Sequence, residues 1–277
     1  MQYSLFDIHS HLTFSDFDVD RDAVIARMKE EKIGTITVGT DVQTSKDSIA
    51  LAEKHEHLFA TVGIHPTHEG VHADFGGIPE LARHSKVVAL GETGLDYFRL
   101  GENNPNDKYQ ISNIKEEQRR LFIQHVELAQ EHALPLMIHA RPAKGSMDAY
   151  EDVLTVLESM KHEARSTIQG NVHFFAGTVD VARRFLNLGF SLSFDGPITF
   201  ARDYDEVIRF IPQDMIMAET DAPFAAPTPF RGKRNEPPYV RHVVEKIAEL
   251  KGLSIEACAR MLTANALRAF RIEGDVV

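Results

Sequence analysis

The chain has 277 residues, 43% hydrophobic and 26% charged, with a formal net charge of −11 at pH 7 and a single cysteine. That balance is the one found in ordinary globular proteins; it excludes an internal disulfide framework and disfavours non-specific duplex binding, which needs a basic footprint. The apolar runs are strand-sized, short of the roughly 18 residues of a membrane span, and no basic leader precedes the first of them. The expectation is a cytosolic protein in a reducing compartment. An acidic chain can still handle nucleic acid locally, because bound cations invert the sign of a site.

Taken in chain order, β-rich runs occur at Ser4–His9, Gly34–Thr40, Phe59–Ile64, Val87–Gly91, Pro135–His139, Asn171–Phe175, Phe190–Phe194 and Met215–Glu219. Helical patterns lie between them. Val24, Ile25 and Met28 share one helical face. Thr178 is placed as an N-cap, Val181, Phe185 and Leu188 follow at helical spacing, and Gly189 stops the run. Pro237–Pro238 opens a helix through Leu250, Gly252 ends it, and Ser254 caps the last one, whose apolar face includes Cys258. Residues Leu100–Lys115 are polar and aperiodic, the texture of a surface excursion that could act as a lid.

Eight strands alternating with helices predict a parallel sheet, and at this count a closed (β/α)8 TIM-type barrel in one domain. An open doubly wound sheet is the alternative, although no Gly-rich dinucleotide or P-loop fingerprint follows any strand.

In a parallel barrel, functional side chains gather at the C-terminal strand ends. Those ends carry His9 and His11, then His65, Glu92, His139, His173 and Asp221. An H-x-H pair is weak evidence alone, since 14 histidines in this chain give about 0.7 such pairs by chance. The second pair, His55-Glu56-His57, falls near a predicted helix end, where residues two apart do not face each other; it reads as solvated surface. His9 and His11 stand out through their company, because inward barrel positions are usually bulky and apolar. Four imidazoles and two carboxylates exceed the three protein ligands of one catalytic Zn²⁺. They suit two divalent ions about 3.5–4 Å apart, which requires a bridging oxygen. The assignment is His9, His11, Glu92 and Asp221 on one ion, and Glu92, His139 and His173 on the other. Such mixed donors accept Zn²⁺, Mn²⁺ or Fe and, with more water, Mg²⁺.

At these residues the chain resembles the TatD family of metal-dependent deoxyribonucleases, a branch of the amidohydrolase-like barrels. The matching stretches are Phe6-Asp7-Ile8-His9-Ser10-His11, Val62-Gly63-Ile64-His65-Pro66, Gly91-Glu92-Thr93-Gly94-Leu95-Asp96-Tyr97 and Pro135-Leu136-Met137-Ile138-His139-Ala140-Arg141. They continue with His173-Phe174-Phe175-Ala176-Gly177, Glu219-Thr220-Asp221-Ala222-Pro223 and Arg231-Gly232-Lys233-Arg234-Asn235-Glu236-Pro237, spanning nearly the whole chain. The resemblance implies hydrolysis of DNA phosphodiester bonds, often from strand ends. It implies the ligand roles already assigned, and substrate roles for His65 and the Arg231–Arg234 region. The Leu100–Lys115 segment is longer than the pattern leads one to expect.

Within this frame Glu92 and Asp221 are the catalytic carboxylates, Asp221 doubling as proton acceptor, while Asp96 and Glu219 orient ligating imidazoles. Arg141, Arg231, Lys233 and Arg234 are candidate phosphate contacts; a salt bridge or solvated loop is the plain alternative for each. Two other functions stay open: a related barrel enzyme hydrolysing an amide, lactone or phosphotriester, and an idle barrel that keeps metal for structure or binds a partner. The lysine bridge common in the wider superfamily is not available where Glu92 stands.

Overall fold

A computed structural model describes residues 1–67, 75–100, 108–163 and 168–277. Eight strands form one parallel sheet in sequence order: β2 (Leu5–Ser10), β3 (Ile33–Val38), β4 (Leu58–Val62), β5 (Val87–Asp96), β6 (Leu136–Arg141), β7 (Gly170–Val172), β8 (Phe190–Phe194) and β9 (Ile216–Ala218). The sheet closes on itself, with Ser10 bridging Ala222, the His11 amide donating to the Ala222 carbonyl at 2.7 Å, and the Asp221 amide donating to the His9 carbonyl at 2.9 Å. The expected barrel is what the chain builds. A short parallel pair outside it, β1 (Gln2–Tyr3) with β10 (Asp275–Val276), was not anticipated; two residues per strand are too few for any pattern.

The intervening helices are α1 (Arg21–Glu30), α2 (Val42–Lys54), α3 (Ile78–Leu81), α4 (Lys108–His132), α5 (Asp148–Glu163), α6 (Val179–Leu188), α7 (Asp205–Phe210), α8 (Val240–Lys251) and α9 (Ile255–Ala269). Their ends follow local chemistry. Thr178 and Ser254 cap α6 and α9 by accepting the amides of Val181 and Ala257, and Gly189 and Gly252 leave α6 and α8 in the left-handed conformation, at φ 91° and 67°. Val24, Ile25 and Met28 of α1 are buried against the barrel, as is Cys258 of α9.

Three expectations need correction. Strand β5 runs past Gly91 to Asp96, so Glu92 lies within a strand instead of just beyond its end. The polar run Glu92-Thr93-Gly94 concealed this. Gly91 and Gly94 bring β5 against β6 so closely that a Cβ would stand 2.4 Å from the Met137 carbonyl oxygen and 2.0 Å from that of His139. Second, Lys108–Lys115 is the opening of the 25-residue helix α4. Lys115 is anchored there by an ion pair with Asp148 at 2.8 Å and lies 3.8 Å from the Tyr97 ring centroid. Leu100 is partly buried, and residues 101–107 of the lid-like segment lie outside the described residues. Third, α2 ends at Lys54, and His57, taken for solvated surface, is 3% exposed beside β4. Burial holds its imidazole down at about 4.

The barrel lining is more polar than the bulky apolar filling usual for this architecture. Asn171 donates to Ser191 Oγ at 3.2 Å, and Ser193 Oγ lies 2.8 Å from Asn171 Oδ1 and 2.7 Å from Glu219 Oε2. Asn171 and His173 alternate onto the same face. This buried ladder leads upward to the mouth of the barrel.

Candidate metal centre

Four donor atoms converge on one side of the mouth. His9 and His11 leave β2 on the same face, their Nε2 atoms 3.2 Å apart. Glu92 Oε2 stands 3.5 Å from His9 Nε2 and 3.6 Å from His11 Nε2, and Asp221 Oδ1 stands 3.6 and 3.4 Å from the same two atoms. The edge of a tetrahedron with metal–ligand bonds of about 2.1 Å is about 3.4 Å, so this set has the spacing of a coordination shell.

The other oxygen of Glu92 faces a second set. His139 Nδ1 and His173 Nε2 each lie 2.8 Å from Glu92 Oε1 and 3.3 Å from one another. His65 joins them, its Nε2 3.5 Å from the same oxygen. From sequence His65 stood among the strand-end donors but was left out of both ligand sets and read as a substrate contact; its donor atom lies beside Glu92 and His139.

Outer contacts decide which nitrogen of each ring faces inward. His11 Nδ1 donates to the Val38 carbonyl at 3.2 Å, and His139 Nε2 to Asp96 Oδ2 at 3.0 Å, leaving His11 Nε2 and His139 Nδ1 with lone pairs toward the centre. His173 Nδ1 points to Glu219 Oε1 at 3.7 Å. Lone pairs and carboxylate oxygens packed at 2.8–3.6 Å repel unless protons or cations lie between them. The donor set therefore fits divalent metal. The same crowding shows in the acid–base balance. Burial pushes Glu92 upward, but His173, His65 and His9 outweigh it and hold the carboxyl well below its usual range. Burial pushes His173 down, and Glu92 and Glu219 reverse this to leave it well above an ordinary imidazole.

The backbone is bent to present these groups. Asp221 and Phe174, the latter next to His173, adopt positive φ of 54° and 46°, unusual for residues with a Cβ. Glu219 Oε1 accepts the Phe174 amide at 2.5 Å and the His9 carbonyl accepts the Asp221 amide, which offsets that strain.

The barrel thus brings together all six residues expected as ligands, with Asp96 and Glu219 behind the imidazoles. The basic residues divide. Arg141 is exposed, 4.0 Å from the Phe98 ring centroid and without an ion pair among the described residues; Arg231 is exposed, 3.8 Å from the centroid of Phe200; Lys233 is exposed. Arg234 departs from the expected phosphate role. Its guanidinium binds both oxygens of Asp20 at 2.7 Å, Glu236 at 2.9 Å and the Asp16 carbonyl at 2.7 Å, and it covers the Phe17 ring. It clamps the loop after β9 to the start of α1.

Two contributors went unnoticed. Asp7 holds the seam of the barrel beneath His9, and strand alternation places it on the same face, a signal that was present. Phe14 stacks on His11, ring centroids 4.6 Å apart, and Phe224 packs edge-on to both. No local pattern announces such contacts.

Residues 6–271 match the family model described as TatD related DNase. The chain is 42% identical over 273 residues to the uncharacterized metal-dependent hydrolase YabD of Bacillus subtilis (strain 168), covering 97% of this chain and 99% of that protein. It is 32% identical over 284 residues to the 3'-5' ssDNA/RNA exonuclease TatD of Erwinia billingiae, covering 97% and 99%. Among solved structures it resembles YJJV, a TatD homolog from Escherichia coli K12, with a TM-score of 0.82 and 27% identity over 98% of this chain and 99% of that one.

Proposed function

The chain belongs to the family of TatD-related DNases, as a metal-dependent hydrolase, and from that premise we propose that it cleaves phosphodiester bonds at the ends of single-stranded DNA with two divalent cations. The observation that carries the reading is Glu92, whose two oxygens face two separate groups of imidazoles. His9, His11, Glu92 and Asp221 would hold one ion; Glu92, His139 and His173, with His65 adjacent, the other. Zn²⁺, Mn²⁺ and Mg²⁺ suit these donors. Ions bound there would polarise a phosphoryl oxygen and bring the pKa of water to about 7.

The chain's own residues supply the rest. Asp221, partly exposed beside His9 and His11, would accept the proton of the attacking water; burial raises its carboxyl but His11 and His9 bring it below the ordinary value, which keeps it ionised and free to accept. Asp96 and Glu219 keep the imidazoles of His139 and His173 oriented. Arg141, Arg231 and Lys233 meet the flanking phosphates, the two arginines able to grip two oxygens at once. The relative named as a 3'-5' ssDNA/RNA exonuclease supports the choice of strand ends. The test is incubation of metal-replete protein with end-labelled single-stranded DNA, duplex and RNA. Stepwise shortening of the single strand, abolished by chelator, is expected. Intact nucleic acid alongside hydrolysis of a phosphotriester or lactone overturns the reading.

A further inference from the structure

Seventeen phenylalanines occur in the chain, and only Phe98, Phe200 and Phe224 are exposed, at 38%, 40% and 51%. All three stand on segments that follow the strands at the catalytic end: Phe98 after β5, Phe200 after β8 and Phe224 after β9. Large apolar side chains left in water at one mouth, and nowhere else among the phenylalanines, mark a binding surface.

Phe224 is the nearest to the chemistry. Its ring centroid is 6.2 Å from that of His11 and 6.1 Å from that of Phe14, which itself stacks on His11 with planes 20° apart. Its backbone is immobilised: the amide donates to the Asp221 carbonyl at 2.8 Å, and the carbonyl accepts from Asn235 Nδ2 at 2.7 Å. Asn235 also donates to the Thr220 carbonyl at 2.7 Å, which joins the aromatic ring to the loop that presents Asp221. An exposed ring carried on an anchored backbone beside the centre needs little ordering to meet a flat ligand.

We propose that Phe224, backed by Phe14, stacks the unpaired base of the nucleotide whose phosphate is attacked. This rests on the phosphodiesterase reading. The occupant is a nucleobase and not a general apolar group because exposed cations flank the mouth over aromatic faces, Arg141 on Phe98 and Arg231 on Phe200, in a chain of net charge −11. Aromatic faces interleaved with cations are what a single strand requires, and every base has a face to offer, so the preference is for unpaired bases regardless of sequence. A base inside a duplex is already stacked on its neighbours. Selection of frayed or single-stranded ends follows from that.

The test compares single strands carrying a normal terminal nucleotide with strands carrying an abasic analogue there, using the metal-replete protein. The wild type should favour the normal strand about tenfold or more in kcat/KM, through KM. In Phe224→Ala that ratio falls toward one, with metal content and thermal midpoint measured to show an intact barrel. Phe224→Tyr keeps the ratio, and Phe224→Leu, apolar but without a π face, loses it. A terminal 2-aminopurine on a phosphorothioate-protected strand gives an independent reading: its fluorescence is quenched by the wild type and not by Phe224→Ala. DNA cleavage with an undiminished ratio in Phe224→Ala and Phe224→Leu overturns the stacking role alone; absence of any nucleic-acid cleavage by the wild type removes the underlying reading as well.

Discussion

The carboxylate of Asp7 accepts the backbone amide of Thr220 at 2.9 Å and its hydroxyl at 2.7 Å, tying the first barrel strand to the residue before Asp221, 213 positions away. The same carboxylate accepts the His9 amide at 3.2 Å and the Thr35 hydroxyl at 3.3 Å. One buried side chain thus reinforces the backbone bonds that close the barrel and align His9 with Asp221. Burial pushes that carboxyl well above its ordinary range, and its donors only partly oppose this.

Replacing Asp7 by Ala strands the buried amides of His9 and Thr220, each costing about 1–3 kcal/mol if left unpaired, while the Thr35 hydroxyl keeps Ser10 and the Thr220 hydroxyl keeps the His9 carbonyl and the Ala222 amide. The expected outcome is a fall in urea stability of roughly 3 kcal/mol, with metal affinity down by about 10- to 100-fold through misalignment of His9 and Asp221. Chemical denaturation and a competitive metal titration measure the two effects. Unchanged metal affinity in a folded variant would show the seam to be structural only.

Glu92 offers one oxygen to each donor set, so Glu92→Ala should strip both ions from the purified protein, and activity should fall by at least about a thousandfold. Elemental analysis of the dialysed variant decides it. Two equivalents retained would refute the bridge.

Acid should weaken the fold through histidines outside the centre. Burial keeps His57 and His125 at about 4, whereas the unfolded chain titrates its histidines near 6.5. Between these values the unfolded state binds more protons. Their stability contribution is complete above about pH 6.5 and is lost as pH falls toward about 4, at a cost of up to about 3 kcal/mol for each. His125 is neutral for a structural reason: its Nδ1 donates to the Leu121 carbonyl and its Nε2 accepts the Ile64 amide at 3.0 Å, fixing the strand end before His65. Urea midpoints of wild type and His57→Phe at pH 7.5 and 4.5 test this; the variant should lose less stability on acidification. Equal losses would mean that His57 is not held neutral.

Arg234 and Arg141 should behave oppositely. Arg234→Ala breaks the clamp on Asp20 and Glu236 and lowers stability by about 1 kcal/mol with little change in KM. Arg141→Ala should raise KM for oligonucleotides several-fold and leave the thermal midpoint in place. Steady-state kinetics beside thermal melts separates the two; a raised KM in Arg234→Ala would return that residue to the binding surface.

Much of the site was legible because a parallel barrel converts a one-dimensional signal into a ring. Each ligand sits at or just past an apolar run, and period-2 alternation tells which side chains share its face. His9, His11, His139 and His173 need nothing further to be noticed. The illegible parts share a different property. Arg234 looks like a free cation until Asp20, from the other end of the chain, appears beside it; His57 looks solvated until β4 turns its side chain inward; Phe224 is an ordinary loop residue until His11 and Phe14 come beneath it.

From its residues alone, then, this chain dictates eight strands, the helices capped between them, and a set of donors at the strand ends, because hydrophobic periodicity, capping and alternation act over a few neighbouring residues. Only tertiary structure decides which nitrogen of each imidazole faces the centre, which oxygen of Glu92 faces which group, which cations are neutralised, and that His65 Nε2 comes within 3.5 Å of Glu92. Those are matters of ångström distances between atoms far apart in sequence, set by the closure of the barrel and by the buried partners, Asp7 foremost, that hold it shut.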